Sequence, residues 1–374
     1  MEYQHPNILR KILFFSVLLF LGMMTSSTTY AENYTFVTQW GSMGEGVGQI
    51  FDAQGIGFDS SGNVIVADNG NARIGKYNSN GNYLTQWGSS GSEKGQFGSI
   101  NDIALDSVGN LYVVDEINNR IQKFDSNGTY LAQWGYEGTG DGQFTAPCGI
   151  AVDSSDNIYV ADTDNNRIQK FDSNGTYLTQ WGSYGTGNGQ FDKPRYVTVN
   201  SSGDVYVADW GNSRVQKFDN NSTYLIQWGS EGTGDGQFNN PKHIAVDSSG
   251  NIYVVDSDNN RIQKFDSNGT YLTQWGSSDS DKAKLNGPTT VAVDSSGIVY
   301  VSDLGSPIKK FAKTAATPAS TASATENVSE IQSKPITQQN QSPDASNTES
   351  KKTSGFEIIY GIVGLLVVFL CRRE

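Results

Sequence analysis

Short apolar runs alternate with polar turn sequences along most of this chain. In one copy of the pattern, apolar, β-branched and aromatic residues recur in Gly149 to Asp153, Asn157 to Asp162, Arg167 to Asp172 and Tyr177 to Gly182. Runs of this length, bounded by turn sequences, are typical of strands. The Asn-Gly dipeptide before the last run suits the positive φ angles of a tight hairpin. We therefore expect four short antiparallel strands, called a to d in chain order.

The pattern has a period of 47 residues, which indicates repeated supersecondary units. A tryptophan recurs in strand d, at Trp40, Trp87, Trp134, Trp181, Trp228 and Trp275. An aspartate recurs at the end of strand b, at Asp68, Asp115, Asp162, Asp209, Asp256 and Asp303. One copy alone buries too little apolar surface to offset the entropy of ordering it. Stacking the copies around an axis, as in a β-propeller, buries both faces of the inner strands.

The phase of the repeat predicts how the ring closes. The chain enters the pattern at a lone strand d, Phe36 to Trp40, and leaves it after a strand c, Ile308 to Phe311. Joined together, these two ends complete the sixth blade. We expect an all-β, six-bladed, monomeric propeller of four-stranded repeats over residues 32–311, closed by its N-terminal strand.

The two ends of the chain differ in composition from the repeats. Residues 1–31 contain Arg10 and Lys11, an apolar run from Ile12 to Met24 and a small residue at Ala31, which predicts a secretory signal peptide. Residues 312–354 are rich in Ser, Thr, Pro, Gln and Asn, which predicts a disordered stalk. Residues 355–374 contain the apolar run Ile358 to Cys371 followed by arginines, which predicts a hydrophobic anchor or sorting signal.

Charge and cysteine content narrow the function. Residues 34–311 contain 31 acidic and 18 basic side chains. So acidic a domain repels phosphate backbones, and we expect no nucleic-acid partner. The cysteines are Cys148 and Cys371, so no disulfide framework is predicted.

The repeat resembles the NHL repeat. The segment Gly236 to Phe265 contains Gly-Gln-Phe, Pro, Ile-Ala-Val-Asp, Gly-Asn-Ile-Tyr-Val-Val-Asp and Asn-Arg-Ile-Gln-Lys-Phe, and related segments recur along about three quarters of the chain. The resemblance implies a six-bladed propeller. Members of this family serve as protein-interaction platforms, RNA binders, extracellular sensor domains, lyases and hydrolases, so the resemblance implies fold more than function.

The C-terminus resembles the PGF-type sorting signal of archaeal surface proteins. Gly355-Phe356-Glu357 precedes a hydrophobic run and terminal arginines, with Ser354 where that family has proline. The resemblance implies secretion across the cytoplasmic membrane and anchoring at the outer cell surface. The tail is then either exchanged for a lipid or retained as a membrane anchor.

An Asp at the end of strand b and an Arg at the start of strand c recur together. We expect them to form structural pairs that satisfy the b to c turn, at Asp68 and Arg73, Asp115 and Arg120, Asp162 and Arg167, Asp209 and Arg214, and Asp256 and Arg261. A calcium loop is the alternative, but the glycine and distal glutamate of such a loop are missing.

Differences between copies point to a candidate ligand site. The positions after the recurring proline vary most, and Trp210 is unique to the b to c loop of the fourth blade. We expect a basic and aromatic patch for an anionic or sugar-like ligand or a partner protein, formed by Arg195, Tyr196, Trp210, Lys242 and His243, with Asn101 and Asp102 nearby. Drift at loop positions is the alternative.

Several Asn-X-Ser/Thr sequons occur, and those in the c to d turns predict glycosylation at Asn127, Asn174, Asn221 and Asn268.

These features predict a surface-displayed, non-catalytic module that binds a protein or a surface glycan. The only histidines are His5 and His243, too few for a zinc site, so we expect no metal, cofactor or catalytic residue. The alternatives are a structural envelope protein without a specific ligand and a propeller hydrolase or lyase acting on a carbohydrate or lactone.

Overall fold

The computed structural model describes residues 32–277, 282–304 and 308–314. Six four-stranded antiparallel sheets form the six blades in this part of the chain. The signal peptide, nearly all of the predicted stalk and the C-terminal segment lie outside the described residues. Within the described ranges, no helix is both long enough and apolar enough to cross a membrane.

The strands follow one another in a regular order. The lone first strand is β1 (Asn33–Trp40), and blade 1 contains β2 (Ala53–Phe58), β3 (Val64–Asp68), β4 (Arg73–Tyr77) and β5 (Tyr83–Trp87). After the short pair β6 (Ser89–Ser90) and β7 (Gln96–Phe97), blade 2 contains β8 (Ile100–Leu105), β9 (Leu111–Asp115), β10 (Arg120–Phe124) and β11 (Tyr130–Trp134). Blade 3 contains β12 (Pro147–Val152), β13 (Ile158–Asp162), β14 (Arg167–Phe171) and β15 (Tyr177–Trp181). Blade 4 contains β16 (Pro194–Val199), β17 (Val205–Asp209), β18 (Arg214–Phe218) and β19 (Tyr224–Trp228). Blade 5 contains β20 (Pro241–Val246), β21 (Ile252–Asp256), β22 (Arg261–Phe265) and β23 (Tyr271–Trp275), and β24 (Pro288–Val293), β25 (Val299–Asp303) and β26 (Ile308–Thr314) follow. Short 3-10 turns follow strand b in three blades, at η1 (Asn69–Asn71), η2 (Thr163–Asn165) and η3 (Trp210–Asn212).

The N-terminal strand closes the ring, as the phase of the repeat predicts. Sheet order in the sixth blade is β24, β25, β26 and β1, and β1 pairs antiparallel with β26 from Asn33 opposite Thr314 to Trp40 opposite Ile308. β1 begins three residues before the predicted Phe36, and the extension adds contacts to blade 5. Tyr34 stacks on Trp275 with ring centroids 4.3 Å apart and shares a 2.8 Å hydrogen bond with the Tyr253 hydroxyl.

The core consists of hydrophobic clusters between neighbouring blades rather than one central core. Six such clusters occur in the described residues, one at each blade interface. Between blades 3 and 4, for example, Tyr159, Ile168, Phe191, Val207 and Phe218 pack together. Because each blade supplies only half of each cluster, no blade buries its apolar faces without both neighbours.

In blades 1 to 5 the recurring Asp and Arg form ion pairs, with Arg Nε to Asp Oδ2 distances of 2.8, 2.9, 2.7, 2.7 and 2.6 Å. In blade 3, Asp162 also accepts hydrogen bonds from Thr145 N, Asn165 Nδ2 and Gln169 Nε2. Burial raises the pKa of Asp162, while the hydrogen bonds from Thr145, Asn165 and Arg167 oppose that rise. The aspartate therefore joins the b to c turn to the loop that precedes strand a.

The arginine extends this connection. Arg167 donates to the carbonyl oxygens of Thr139, Gly140 and Gln143 in the d to a loop, at 2.8, 2.8 and 2.9 Å. The pair therefore fixes the connection between consecutive blades as well as the turn.

Blade 6 departs from this rule. Its Asp303 pairs instead with Lys309, at 3.0 Å, and Lys309 lies at the position that glutamine occupies in blades 2 to 5.

Alternating strand direction gives the propeller two faces. The turn face carries the a to b and c to d turns, such as residues 153–157 and 172–176, and the loop face carries the b to c and d to a loops, such as residues 163–166 and 182–193. Both ends of the described domain lie at the turn face, since β26 ends there at Thr314 and β1 begins there at Asn33. The sequon asparagines in the c to d turns are exposed on this face, at Asn127, Asn174, Asn221 and Asn268.

Replacing Tyr34 should weaken ring closure. Tyr34→Ala removes the stacking on Trp275 and the hydroxyl contact with Tyr253, so we expect the free energy of unfolding to fall by about 2 to 4 kcal/mol in urea titrations. Tyr184 is 72% exposed, and Tyr184→Ala is the matched control. Equal stability of the two variants would show that β1 does not lock the ring.

Removing one carboxylate of the repeated pair should cost more than removing an exposed one. Asp162→Asn leaves Arg167 buried without its counter-ion, so we expect a loss of about 3 to 5 kcal/mol in the free energy of unfolding. Glu137 is exposed, and Glu137→Gln changes net charge by the same amount with little effect. A loss below 1 kcal/mol (about a fivefold change in the unfolding constant) for Asp162→Asn would contradict a structural role.

Glycan occupancy should differ between exposed sequons and a sequon whose asparagine side chain is hydrogen-bonded. We expect glycopeptide mass spectrometry of the secreted protein to find glycans at Asn127, Asn174, Asn221 and Asn268. Asn200 is the internal control, because its side-chain amide donates to Asp204 and its carbonyl accepts the backbone N–H groups of Ser202 and Asp204. Bare asparagines in all four turns would refute the prediction.

Candidate ligand site at the channel

The six inner strands surround a central channel, and each begins with an irregularity at the loop face. The strands in contact around the ring are β2, β8, β12, β16, β20 and β24. In every one, the register with its neighbour shifts directly after the first residue, as between Pro194 and Tyr196 in β16. A bulge frees a residue from the strand pairing and redirects its side chain. The variable positions found in the sequence therefore lie where the backbone itself is irregular.

Three of the predicted site residues form a cationic and aromatic cluster at the loop-face end of the channel. The Arg195 guanidinium carbon lies 5.7 Å from the centre of the Trp210 ring, at the start of η3. The Arg195 Nε is buried and has no hydrogen-bond partner among the described residues. Lys242, at the corresponding position of blade 5, is half-buried, and burial together with the charge of Arg195 lowers the pKa of its ammonium group. Arg195, Lys242 and Trp210 are called the mouth cluster below.

One carboxylate, that of Asp52, and the thiol of Cys148 act on the mouth cluster. Asp52 and Cys148 both oppose the lowering of the Lys242 pKa. The Asp52 carboxylate is already engaged, because it accepts hydrogen bonds from Gln54 at 2.6 Å and from Asn69 at 3.0 Å. Cys148 is buried and accepts a 3.3 Å hydrogen bond from Asn101 Nδ2, and burial raises the pKa of its thiol. Within the described ranges, no hydrogen bond or ion pair joins Arg195 or Lys242 to Asp52 or Cys148.

The other four predicted site residues, Asn101, Asp102, Tyr196 and His243, are buried. The Tyr196 hydroxyl donates to the Asn101 carbonyl oxygen at 2.9 Å, and its ring centroid is 4.4 Å from that of His243. His243 Nε2 lies 3.6 Å from Asp102 Oδ1. These contacts join blades 2, 4 and 5 across the channel. We call the four residues the plug.

The absence of a side chain at Gly149 lets the backbones of blades 3 and 4 approach closely beside the plug. A Cβ at Gly149 would lie 2.5 Å from the Tyr196 Cα, so blades 3 and 4 approach here as only glycine permits. Asp102 bridges the neighbouring strand, since its Oδ1 accepts the Ile103 N–H at 2.8 Å and its Oδ2 accepts the Ile150 N–H at 2.9 Å. The sequence predicts one patch, and the structure separates it into a mouth cluster and a buried plug.

The site residues predicted from the sequence do not include Asp52, Cys148 or Thr290. All three lie at or next to the bulged start of an inner strand, and copy-to-copy variation at that position was the available signal. Thr290 matches His243 in the repeat, and its hydroxyl is buried without a partner among the described residues.

The described residues do not bring three or more His, Cys, Asp or Glu side chains into an arrangement that could hold a metal ion. The aspartates of the alternative calcium loops have other contacts. Asp164 lies 3.9 Å from the Lys193 ammonium, and Asp258 accepts a hydrogen bond from Asn240.

Comparison with known proteins agrees with this architecture. The NHL repeat model matches residues 52–77, 144–171, 191–218 and 238–265, and the PGF-CTERM motif model matches residues 353–374. No curated protein matches the sequence.

Solved structures with the same fold have different activities. An auxiliary nutrient binding protein from Bacteroides thetaiotaomicron aligns with a TM-score of 0.58 at 12% identity, over 75% of this chain and 77% of that chain. Virginiamycin B lyase from Staphylococcus aureus, solved with quinupristin, aligns with a TM-score of 0.53 at 13% identity, over 75% and 99% of the two chains. A gluconolactonase from Xanthomonas campestris aligns with a TM-score of 0.55 at 11% identity, over 78% and 94%.

At these identities the structural matches show the fold alone, and they include both binding proteins and enzymes. The sequence models, the ring of six four-stranded blades and the closing strand agree with one another. The chain folds into a six-bladed β-propeller that contains NHL repeats and carries a PGF-CTERM motif at its C-terminal end.

Proposed function

We propose that this protein is a cell-surface binding module whose mouth cluster holds a negatively charged group of a surface glycan or partner protein. The PGF-CTERM motif is typical of secreted archaeal proteins anchored at the cell surface, which supports this location. The last described strand ends at the turn face, on the opposite side of the ring from the mouth cluster. A tether that continues from Thr314 therefore starts away from the proposed site.

The observation that carries the proposal is a pair of cations at the mouth that form no ion pair with a carboxylate among the described residues. Arg195 and Lys242 lie close enough for Arg195 to lower the Lys242 pKa, and the Arg195 Nε is buried without a partner. Elsewhere in the propeller, buried cations such as Arg167 and Arg214 have carboxylate partners at 2.7 Å. A buried donor left unpaired costs about 1 to 3 kcal/mol, which an anionic ligand would offset. Arg195 and Lys242 differ from these paired arginines, and for this reason they form the candidate site.

The aromatic residue suggests how a ligand is oriented. Trp210 is half-buried and lies beside Arg195, so part of its ring remains available for contact. Aromatic rings pack against the apolar faces of sugars and against side chains of partner proteins, while an arginine holds a carboxylate with two parallel hydrogen bonds. A ligand that combines an anionic group with an apolar face fits both components.

An enzymatic role has less support. The fold is shared with a lyase and a gluconolactonase, but fold alone does not transfer chemistry. The only histidine in the propeller, His243, is buried in the plug and packed against Tyr196. Binding without turnover is accordingly the function that the geometry supports best.

Removing the charges of the mouth cluster should abolish binding. With polygalacturonate as an anionic glycan probe and dextran as its neutral counterpart, we expect the secreted protein to bind only the former. Arg195→Ala and Lys242→Ala should each weaken binding at least about tenfold in calorimetry, as loss of a charged hydrogen bond predicts. Lys193→Ala is the matched control, because Lys193 is an exposed cation beside the same strand. Equal affinity of all variants, or hydrolysis of the probe, would contradict the proposal.

The pH dependence gives a second readout of the same experiment. Because burial and Arg195 lower the Lys242 pKa, affinity for the anion should fall as pH rises through that pKa, earlier than an exposed lysine would require. Lys242→Arg should keep its affinity over this range, since arginine stays charged.

A further inference from the structure

A cavity lies on the other side of the plug from the mouth cluster. Its volume is about 220 Å³, and apolar residues of all six inner strands form its wall. Deep wall residues such as Ile103, Ile150 and Ile244 are buried, whereas Val199 and Val246, near the strand ends, are partly exposed. The cavity therefore opens toward the turn face, and the plug separates it from the mouth cluster.

The floor of this cavity is polar and incompletely satisfied. His243 and Asp102 line it, and they are only 7% and 4% exposed. Neither ring nitrogen of His243 has a hydrogen-bond partner among the described residues, and its Nε2 is 3.6 Å from Asp102 Oδ1, too far for a good hydrogen bond. In the next blade, the Thr290 hydroxyl is also buried without a partner. Buried polar groups of this kind need an explanation, because most of them are paired in folded proteins.

Blade architecture does not require a histidine at this position. The other five blades have Gly55, Asp102, Gly149, Tyr196 and Thr290 at the position of His243. The position thus tolerates anything from no side chain to an aromatic ring. The imidazole is instead a local feature of blade 5 that is aimed into the channel.

Water alone does not match the composition of the wall. A bound water needs 2 to 4 polar partners. The polar side chains that line the cavity are those of His243 and Asp102 at the floor and Thr198 in the wall. An engineered apolar cavity of about 150 Å³ holds benzene, so the larger cavity here has room for one substituted ring. A floor that contains a carboxylate beside an imidazole disfavours an anionic head group and favours a neutral hydroxyl, which both donates and accepts.

We propose that the turn-face end of the channel binds a small neutral phenol or alcohol. Its apolar body packs against the valine and isoleucine wall, and its hydroxyl bonds with His243 at the floor. This site is independent of the mouth cluster, because the plug lies between them. An experiment that rules out one of the two sites therefore leaves the other proposal intact.

Histidine NMR of the secreted protein tests this site directly. The only other histidine, His5, lies in the predicted signal peptide, so the imidazole signal reports on His243. We expect p-cresol to shift the His243 ring resonances and to bind at least about tenfold more tightly than toluene, which lacks the hydroxyl. Benzoate should bind more weakly than p-cresol. No shift at millimolar p-cresol, or a structure of the soaked crystal with ordered water alone on the floor, would overturn the proposal.

Two variants separate the wall from the floor. His243→Leu removes the NMR reporter, so its affinities are measured by calorimetry, and those for p-cresol and toluene should become equal. Val246→Trp should block the cavity at its rim and abolish the shift without touching the floor. If His243→Leu does not fold, Val246→Trp carries the test. Lys193→Ala, on the loop face, should leave p-cresol binding unchanged. A p-cresol affinity that both cavity variants leave intact would place the ligand elsewhere and refute the site.

Discussion

The buried aspartate at the end of each strand b is the constraint on which most of this molecule depends. In blade 3 it receives hydrogen bonds from the loop before strand a, from the b to c turn and from strand c. Its arginine partner then donates to three carbonyl oxygens of the d to a loop. A carboxylate buried this deeply is stable only while these donors remain, because an unpaired buried charge is expensive. The same arrangement fixes each blade and its link to the previous one.

Closure of the ring depends on the contacts that neighbouring blades share. Each hydrophobic cluster is shared between two blades, so an open end would expose half a cluster. β1 prevents this by completing blade 6 and extending Tyr34 onto Trp275. Because both chain ends meet at the turn face, the loop face carries neither terminus. That face is where the copies differ most, and it is where Arg195 and Lys242 lie, which form no ion pair within the described part of the chain.

The six inner strands of the channel share one backbone arrangement but differ in side chains at their loop-face ends. Strand pairing and blade packing are repeated, whereas the bulge at the start of each inner strand releases one or two side chains from the pattern. In blades 4 and 5 these positions hold Arg195, Tyr196, Lys242 and His243. Tyr196 and His243 reach across the channel to blade 2, and Arg195 and Lys242 remain above them. Two different environments therefore arise from adjacent residues in the chain.

By itself the sequence determined the strands, the number of blades, the closing strand and the Asp–Arg pairs, because each depends on a local period that six copies repeat. It also located the variable positions around Arg195 and Lys242. It did not show that Tyr196 and His243 turn inward while Arg195 and Lys242 remain at the mouth. The bulge at the start of each strand decides where two adjacent side chains point, and the sequence pattern does not reveal it. Nor did it show that Lys309 pairs with Asp303, or that a cavity lies beneath the plug. Tertiary structure decided these points, because they depend on side chains from blades separated by 47 residues or more that meet only when the ring is closed.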